Sequence, residues 1–258
     1  MTLKDLNKGI WENFRNHLLL KNLAKSSVNV FIVYASQMYK WLANNELPIF
    51  NHISQLKSLD TSKQESKFKT IKPKTLLDLF NTLEANKERY PRLYLSLLLI
   101  YENLLRPVQV CKIKYKHIDL ENNIITQIYN AKNKRYRSIV VTEKVAELIQ
   151  KIIDNTIKKG IKLDDELFLI GGYNVLKEGK SNSPQSIRKA FVIFKEEFPE
   201  FKGMKPYEQK KTSITEQFKD KEFPPDEIRQ RAGHSKLETT QIYNQDEQLT
   251  KPYKLKGL

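Results

Sequence analysis

The residues whose types and spacing could do chemistry together are His234 and Tyr243, which stand nine positions apart in the chain. They belong to the run Gly-His-Ser-Lys-Leu-Glu-Thr-Thr-Gln-Ile-Tyr at 233–243. An imidazole can donate a hydrogen bond to a phosphate oxygen, and a phenol can attack phosphorus as a nucleophile. Either residue alone has an ordinary structural explanation, since a histidine after a helix-ending glycine is commonly a capping or core group. Together in this run they predict a phosphoryl-transfer site.

Transfer at phosphorus also needs an acid for the leaving oxygen and cations around the phosphoryl oxygens. Two upstream segments could supply them: Leu-Leu-Arg-Pro-Val-Gln at 104–109 and Ala-Lys-Asn-Lys-Arg-Tyr-Arg at 131–137. The fork-shaped guanidinium of Arg106 suits two phosphate oxygens. The four histidines and Cys111 are scattered without metal-ligand spacing, so we expect neither a metal nor another cofactor.

These segments resemble the active-site motifs of the tyrosine recombinases, the phage-integrase family. The resemblance covers about residues 73–250, and its most specific parts lie near Arg106, near Lys132 and at 228–244. It implies that Tyr243 attacks the scissile phosphate and forms a 3′-phosphotyrosyl link. It also implies that His234 donates a hydrogen bond to a non-bridging oxygen of that phosphate.

The resemblance assigns two further roles upstream. On this resemblance Arg106 binds the phosphate. Lys132 lies on a β-hairpin and protonates the leaving 5′ oxygen. Lys134 lies two residues on, where strand alternation would place it on the same face, so the choice of acid between the two lysines stays open. The family usually has an acid three residues after the arginine; here Gln109 occupies that position, which predicts weaker support for Arg106.

A further departure lies at 206–211, Pro-Tyr-Glu-Gln-Lys-Lys, where the family commonly has His-x-x-Arg. Tyr207 stands in place of the histidine and Lys210 in place of the arginine, a Tyr-x-x-Lys version that resembles a subgroup of integrases of mobile elements. Lys210 keeps the positive charge but loses the bidentate geometry. A phenol is a poor base at neutral pH, so Tyr207 is predicted to orient a phosphate or a water rather than to act as a base. Both are predicted site residues.

The charge balance predicts a polyanionic partner. Lys and Arg number 45 against 30 Asp and Glu, which gives a net charge of +15 and a pI near 9.6. No apolar run approaches the roughly 18 residues that a membrane span needs. We therefore expect the polyanionic partner to be double-stranded DNA and not a membrane. The single cysteine, Cys111, excludes an internal disulfide, and the N-terminus has no apolar signal core. We therefore expect a cytoplasmic, nucleoid-associated protein.

Hydrophobic periodicity predicts a mainly α protein with a small antiparallel β-sheet. The predicted helices span 3–21, 26–43 with a serine cap, 75–85, 93–105, 143–159, 185–198, 210–219, 224–233 and about 239–244. The predicted strands span 118–128, 137–141 and 165–170.

A change in composition divides the chain. We predict a short helical DNA-binding domain over 1–60, a Lys-rich linker over 61–72, and a catalytic domain over 73–258. The resemblance implies that the two domains form a C-shaped clamp around duplex DNA. It also implies a homotetramer on two DNA sites, from a protein that is a monomer or dimer when free.

The favoured function is therefore that of a site-specific recombinase or integrase, with accessory DNA-bending proteins as possible partners. One alternative is a DNA-binding protein of the same fold whose chemistry is impaired, which the replacements at Gln109, Tyr207 and Lys210 favour. A second alternative is an enzyme similar to type IB topoisomerases, which relaxes supercoiled DNA without choosing a sequence.

Overall fold

A computed structural model describes residues 6–45, 50–61, 69–130, 134–220 and 223–233 of the 258-residue chain. The chain divides into two compact units, Met1–Lys67 and Phe68–Leu258. The domain and linker boundaries predicted from composition stay predictions. Within the described ranges, no helix is both long enough and apolar enough to cross a membrane.

The first unit contains two helices, α1 (Lys8–Leu20) and α2 (Lys25–Asn44), followed by a 3-10 turn at His52–Gln55. The indole of Trp11 on α1 packs edge-on against Tyr39 of α2 and donates a 3.1 Å hydrogen bond to its hydroxyl. The predicted serine cap of α2 is wrong. Ala24 occupies the cap position with no side-chain hydrogen bond, because the helix begins before both serines.

The second unit is built around one helix that is buried on nearly every face. Its helices are α3 (Pro73–Ala85), α4 (Pro91–Glu102), α5 (Pro107–Val110), α6 (Glu143–Lys158), α7 (Pro184–Glu197), α8 (Pro206–Asp220) and α9 (Pro225–Ala232). Every residue of α4 from Leu93 to Ile100 is buried, as its sequence, apolar on most faces, predicts. The helix therefore gives the second unit a rigid centre, and its C-terminal end leads directly into the site.

A three-stranded antiparallel sheet lies beside these helices, in the order β1-β2-β3. The strands are β1 (Ile118–Asp119), β2 (Ile124–Asn130) and β3 (Arg135–Val140). The register pairs Ile124 with Val140 and Asn130 with Arg135, and it is interrupted between Ile125 and Ile128. The predicted fold class, mainly α with a small antiparallel sheet, is confirmed.

Among the predicted elements whose bounds differ in the structure, three differ for a local reason. The predicted strand over 118–128 is two strands, because the chain turns between them with Asn123 at φ 55°. The predicted strand over 165–170 is reduced to isolated bridges of Phe168 with Lys114 and Lys177. The predicted helix over 93–105 ends at Glu102, because Leu104 adopts a left-handed backbone at φ 53°. The helix predicted near 239–244 lies outside the described residues.

Candidate active site

Arg106 is held by its backbone at the point where α4 gives way to α5. It is the N-cap residue of α5, and the following Pro107 supplies the fixed φ of the first helical position. Its backbone N–H donates a 2.9 Å hydrogen bond to Oε1 of Gln109, whose Nε2 donates to the Tyr129 carbonyl of β2 at 3.3 Å. Gln109 is only 4% exposed. The amide that replaces the family's acid therefore joins the backbone of Arg106 to the sheet, and the expectation of weaker support than an acid would give stays a prediction.

Among the residues that the structure describes, the side chain of Arg106 is engaged only at long distance. Its Nη1 lies 3.4 Å from Oδ1 of Asn130, and its Nη2 lies 3.5 Å from the Gly233 carbonyl. Both distances are at the outer limit of a hydrogen bond. The guanidinium fork is thus placed between the end of β2 and the end of α9 and held weakly there, as suits a group that exchanges these contacts for a ligand.

Lys210 is held quite differently. It is 1% exposed, and its Nζ donates hydrogen bonds to the carbonyls of Leu104 at 2.6 Å and Ala232 at 2.9 Å. Burial lowers the pKa of Lys210 well below its ordinary value of 10.5, and the nearby charges of Arg106 and Arg137 lower that pKa further. The predicted replacement for the second arginine therefore binds protein carbonyls in this structure.

Arg137 of β3 is a third cation at the same place, and the sequence reasoning did not single it out. Its Nη1 donates to the carbonyls of Gln230, at 3.2 Å, and Arg231, and its Nη2 donates to the Asn103 carbonyl at 3.3 Å. Burial first, then the charges of Arg106 and Arg231, lower the pKa of Arg137 to about 10. Its only sequence signal was its place in the basic run at 131–137.

The end of α9 is thus where these cations converge. The last carbonyls of a helix lack partners within the helix and form its negative pole, which attracts cations. Here successive carbonyls from Gln230 to Gly233 accept donors from Arg137, Lys210, Arg106 and Asn130. Gly233 closes the helix in the left-handed conformation at φ 66°, as its position predicted.

The phage integrase family model matches residues 69–249. The chain belongs to the phage integrase family. It is a tyrosine site-specific recombinase, as the sequence predicted. A search of curated proteins found no match.

Solved structures of recombinases share the fold. The Tn1549 transposon integrase, in complex with circular intermediate DNA, is 17% identical, with a TM-score of 0.70 over 94% of this chain and 82% of that chain. XerA recombinase is 16% identical, with a TM-score of 0.55 over 95% and 81%. A lambda integrase tetramer bound to a Holliday junction is 13% identical, with a TM-score of 0.65 over 93% and 65%. At these identities the likeness concerns the fold.

Three predicted catalytic residues of the recombinase, Lys132, His234 and Tyr243, lie outside the described residues. Described residues close in sequence to the first two, Asn130 and Gly233, meet at Arg106. Asn130, two positions before Lys132, donates a 2.8 Å hydrogen bond to the carbonyl of Gly233, the residue that directly precedes His234. The structure therefore brings together the backbone segments that lead into the predicted acid and the predicted histidine, and their roles stay predictions.

The remaining predicted residues lie at two other places. Tyr207 is half-buried in the first turn of α8, one turn before Lys210. Lys134 is exposed in the turn before β3, with a left-handed backbone at φ 53°. The alternation argument for Lys134 is wrong, since it lies in a turn rather than in a strand, and the choice of acid is not decided by it. Within the part of the chain that the structure describes, no group of three His, Cys, Asp or Glu side chains could hold a metal.

Proposed function

We propose that this recombinase cuts and rejoins duplex DNA at specific sites through a 3′-phosphotyrosyl link to Tyr243. The observation that carries the proposal is the position of Arg106. Its weakly engaged guanidinium lies against Asn130 and Gly233, at the start of the segments that contain Lys132 and His234. A phosphate bound to this fork would be within reach of both segments.

The proposed chemistry is an exchange of one phosphodiester for another. The Tyr243 phenol loses its proton to solvent and attacks phosphorus, a P–O bond to the tyrosine forms, and the P–O5′ bond breaks. The leaving 5′ oxygen takes a proton from Lys132, with Lys134 as the alternative acid, while Arg106 and His234 stabilise charge on the non-bridging oxygens. Attack by the 5′ hydroxyl of another strand reverses these steps. No nucleotide is consumed, because the phosphotyrosine retains the bond energy.

The proposed substrate is double-stranded DNA, and the proposed working form is a homotetramer on two sites, from a monomer or dimer when free. The net charge of +15 supports the first proposal. The DNA in the Tn1549 integrase structure and the tetramer in the lambda integrase structure belong to those proteins and support both by analogy. We further propose that residues 1–60 bind DNA, that 73–258 carry the chemistry, and that the protein acts at the nucleoid, with accessory DNA-bending proteins as possible partners.

Covalent trapping tests the proposed function. Nicked duplexes tiled across the DNA that flanks the gene are incubated with the wild type and with Tyr243→Phe, and detergent-resistant, gel-shifted species are sought. We expect an adduct with the wild type alone. Salt-sensitive DNA binding without any adduct would instead support the impaired DNA-binding protein, and relaxation of any plasmid by the monomer would support the topoisomerase-like activity.

A further inference from the structure

The ammonium of Lys210 joins two backbone segments that are far apart in the chain. One of its carbonyl partners, Leu104, stands two residues before Arg106, and the other, Ala232, stands two residues before His234. Lys210 thus contacts the backbone immediately upstream of both residues that are proposed to bind the phosphate. Its two hydrogen bonds, at 2.6 Å and 2.9 Å, are much shorter than those of the Arg106 side chain.

Both segments need such a partner. Leu104 adopts a left-handed backbone at φ 53°, which costs energy for a residue with a branched side chain and persists only where the surroundings fix it. Ala232 ends α9, where helix carbonyls lack partners within the helix. The carbonyls of Leu104, just beyond α4, and of Ala232, at the end of α9, both accept from the same ammonium, and a cation between them offsets the repulsion between the two carbonyl dipoles.

Arg137 repeats the same connection from the sheet. Its guanidinium reaches Asn103 beyond the end of α4 and both Gln230 and Arg231 in the last turn of α9. Two independent cations thus join the same pair of helix ends, one from α8 and one from β3. This arrangement indicates that the two cations fix the geometry of the site.

We propose, on the basis of the function proposed above, that Lys210 is a positioning residue that sets the backbone before Arg106 and before His234 and does not itself bind the scissile phosphate. To reach a phosphate, the ammonium would have to leave two buried carbonyls without this donor, which is unfavourable. Arg106, whose contacts are long, gives up little by binding a ligand. The Tyr-x-x-Lys version of the motif therefore uses its cation to organise the site.

Hydrogen exchange of the whole protein without DNA tests the positioning role independently of catalysis. We expect Lys210→Met to raise amide exchange on the order of tenfold in both 104–106 and 228–233, because both segments lose their shared partner. Arg106→Met should raise exchange less, and Lys219→Met, a change at an exposed lysine of the same helix, should leave both segments unchanged. Unchanged exchange in both segments of Lys210→Met would overturn the proposal.

A charge-neutral scissile phosphate tests whether Lys210 touches phosphate. Replacing a non-bridging oxygen by methyl removes the negative charge that a bound cation neutralises. We expect this methylphosphonate substrate to restore adduct formation, measured over the time of a single turnover, in Arg106→Ala but not in Lys210→Met. Restoration in Lys210→Met would show that Lys210 binds the phosphate. If the wild type forms no adduct on any substrate, the proposed function fails, and the exchange measurement still decides the positioning role.

If Lys210→Met does not fold, Lys210→Arg is the second variant that tests the proposal. The guanidinium keeps the charge but is larger and planar, so it does not fit a site formed around one compact ammonium. We expect adduct formation roughly tenfold slower than in the wild type. Faster formation would mean that the position acts as a phosphate ligand that the arginine improves, and it would overturn the proposal.

Discussion

At the scale of single residues, Gln109 shows how an amide can do what an acid cannot. Its Oε1 accepts the backbone N–H of Arg106, while its Nε2 donates to the Tyr129 carbonyl. An ionised carboxylate only accepts hydrogen bonds, so it could satisfy the first partner but not the second. The amide at position 109 therefore joins the backbone of Arg106 to the sheet, a connection that an ionised carboxylate could not complete.

Gln109→Leu removes both hydrogen bonds while filling a similar volume. We expect the free energy of unfolding to fall by about 1–2 kcal/mol, because a partly buried N–H and a partly buried carbonyl lose their partners. Urea unfolding at neutral pH measures the loss, and Gln185→Leu, a change at an exposed glutamine, is the matched control. Equal stability of the two variants would mean that the Gln109 amide contributes nothing to the fold.

The buried amine of Lys210 predicts a dependence of stability on pH. Its pKa in the folded protein is well below 10.5, its value when exposed. Between the two values the unfolded chain binds a proton that the folded protein does not, so the free energy of unfolding rises with pH, by up to ~1.4 kcal/mol per unit. Below the folded pKa and above 10.5, this contribution is flat.

Lys210→Met isolates this contribution from the other titrating groups. We expect the wild type to gain stability relative to the variant as pH rises toward 10.5, in urea unfolding curves recorded at a series of pH values. Parallel curves for the two proteins across that range would show that Lys210 is not desolvated as the structure indicates.

At the scale of elements, the sequence predicted the helices that have a clear apolar or glycine signal. It did not predict the contacts that side chains make with backbone carbonyls. The nearly continuous apolar run of α4 and the Gly233 stop of α9 were readable, because side-chain composition and glycine chemistry carry those signals. The burial of α8 was not, since its buried side chains include Thr212 and Ser213, which give no apolar period. The hydrogen bonds from Arg137 and Lys210 to the last carbonyls of α9 could not be predicted either, because a backbone carbonyl is present at every position and gives no sequence signal.

The end of α9 depends on the absence of a side chain at position 233. A Cβ there would lie 2.8 Å from Nδ2 of Asn130, and the residue has φ 66°. We expect Gly233→Ala to lower the free energy of unfolding by roughly 2 kcal/mol or more, from backbone strain and this contact together. Thermal unfolding measures it.

Gly160→Ala provides the matched control, since Gly160 also has a positive φ, 71°, but a Cβ there would meet nothing within 4 Å. That variant should show the cost of backbone strain alone. If both variants lose the same stability, the close approach of Asn130 to Gly233 has no energetic weight.

The two candidates for the general acid, Lys132 and Lys134, both follow β2 in the chain. We expect Lys132→Ala to slow cleavage of an ordinary substrate and to recover with a 5′-bridging thiol, because a thiolate leaves without needing a proton. The exposed turn residue Lys134, changed to alanine, is the comparison. Recovery by the thiol in Lys134→Ala instead would move the acid to that residue.

At the scale of the whole molecule, the excess of 15 positive charges sets how DNA binding responds to salt. Cations that neutralise phosphates release counterions, so the logarithm of the affinity falls linearly with the logarithm of the salt concentration. We expect a steep fall, with Tyr243→Phe binding within about tenfold of the wild type at every salt concentration, because one hydroxyl contributes little to a phosphate-dominated interface. A flat salt profile in titrations of labelled duplex would contradict the DNA assignment.

The cluster of Arg106, Arg137 and Lys210 also links the binding of DNA at the site to the resistance of the protein to unfolding and proteolysis. The charges of the two arginines oppose that of Lys210, so the unliganded protein carries a repulsion that an anion at Arg106 would relieve. A ligand that binds only the folded state stabilises it in proportion to the logarithm of its concentration over its dissociation constant. Copies bound to their DNA sites would therefore unfold less often and resist proteases longer than unbound copies, and turnover in the cell would remove the idle recombinase first.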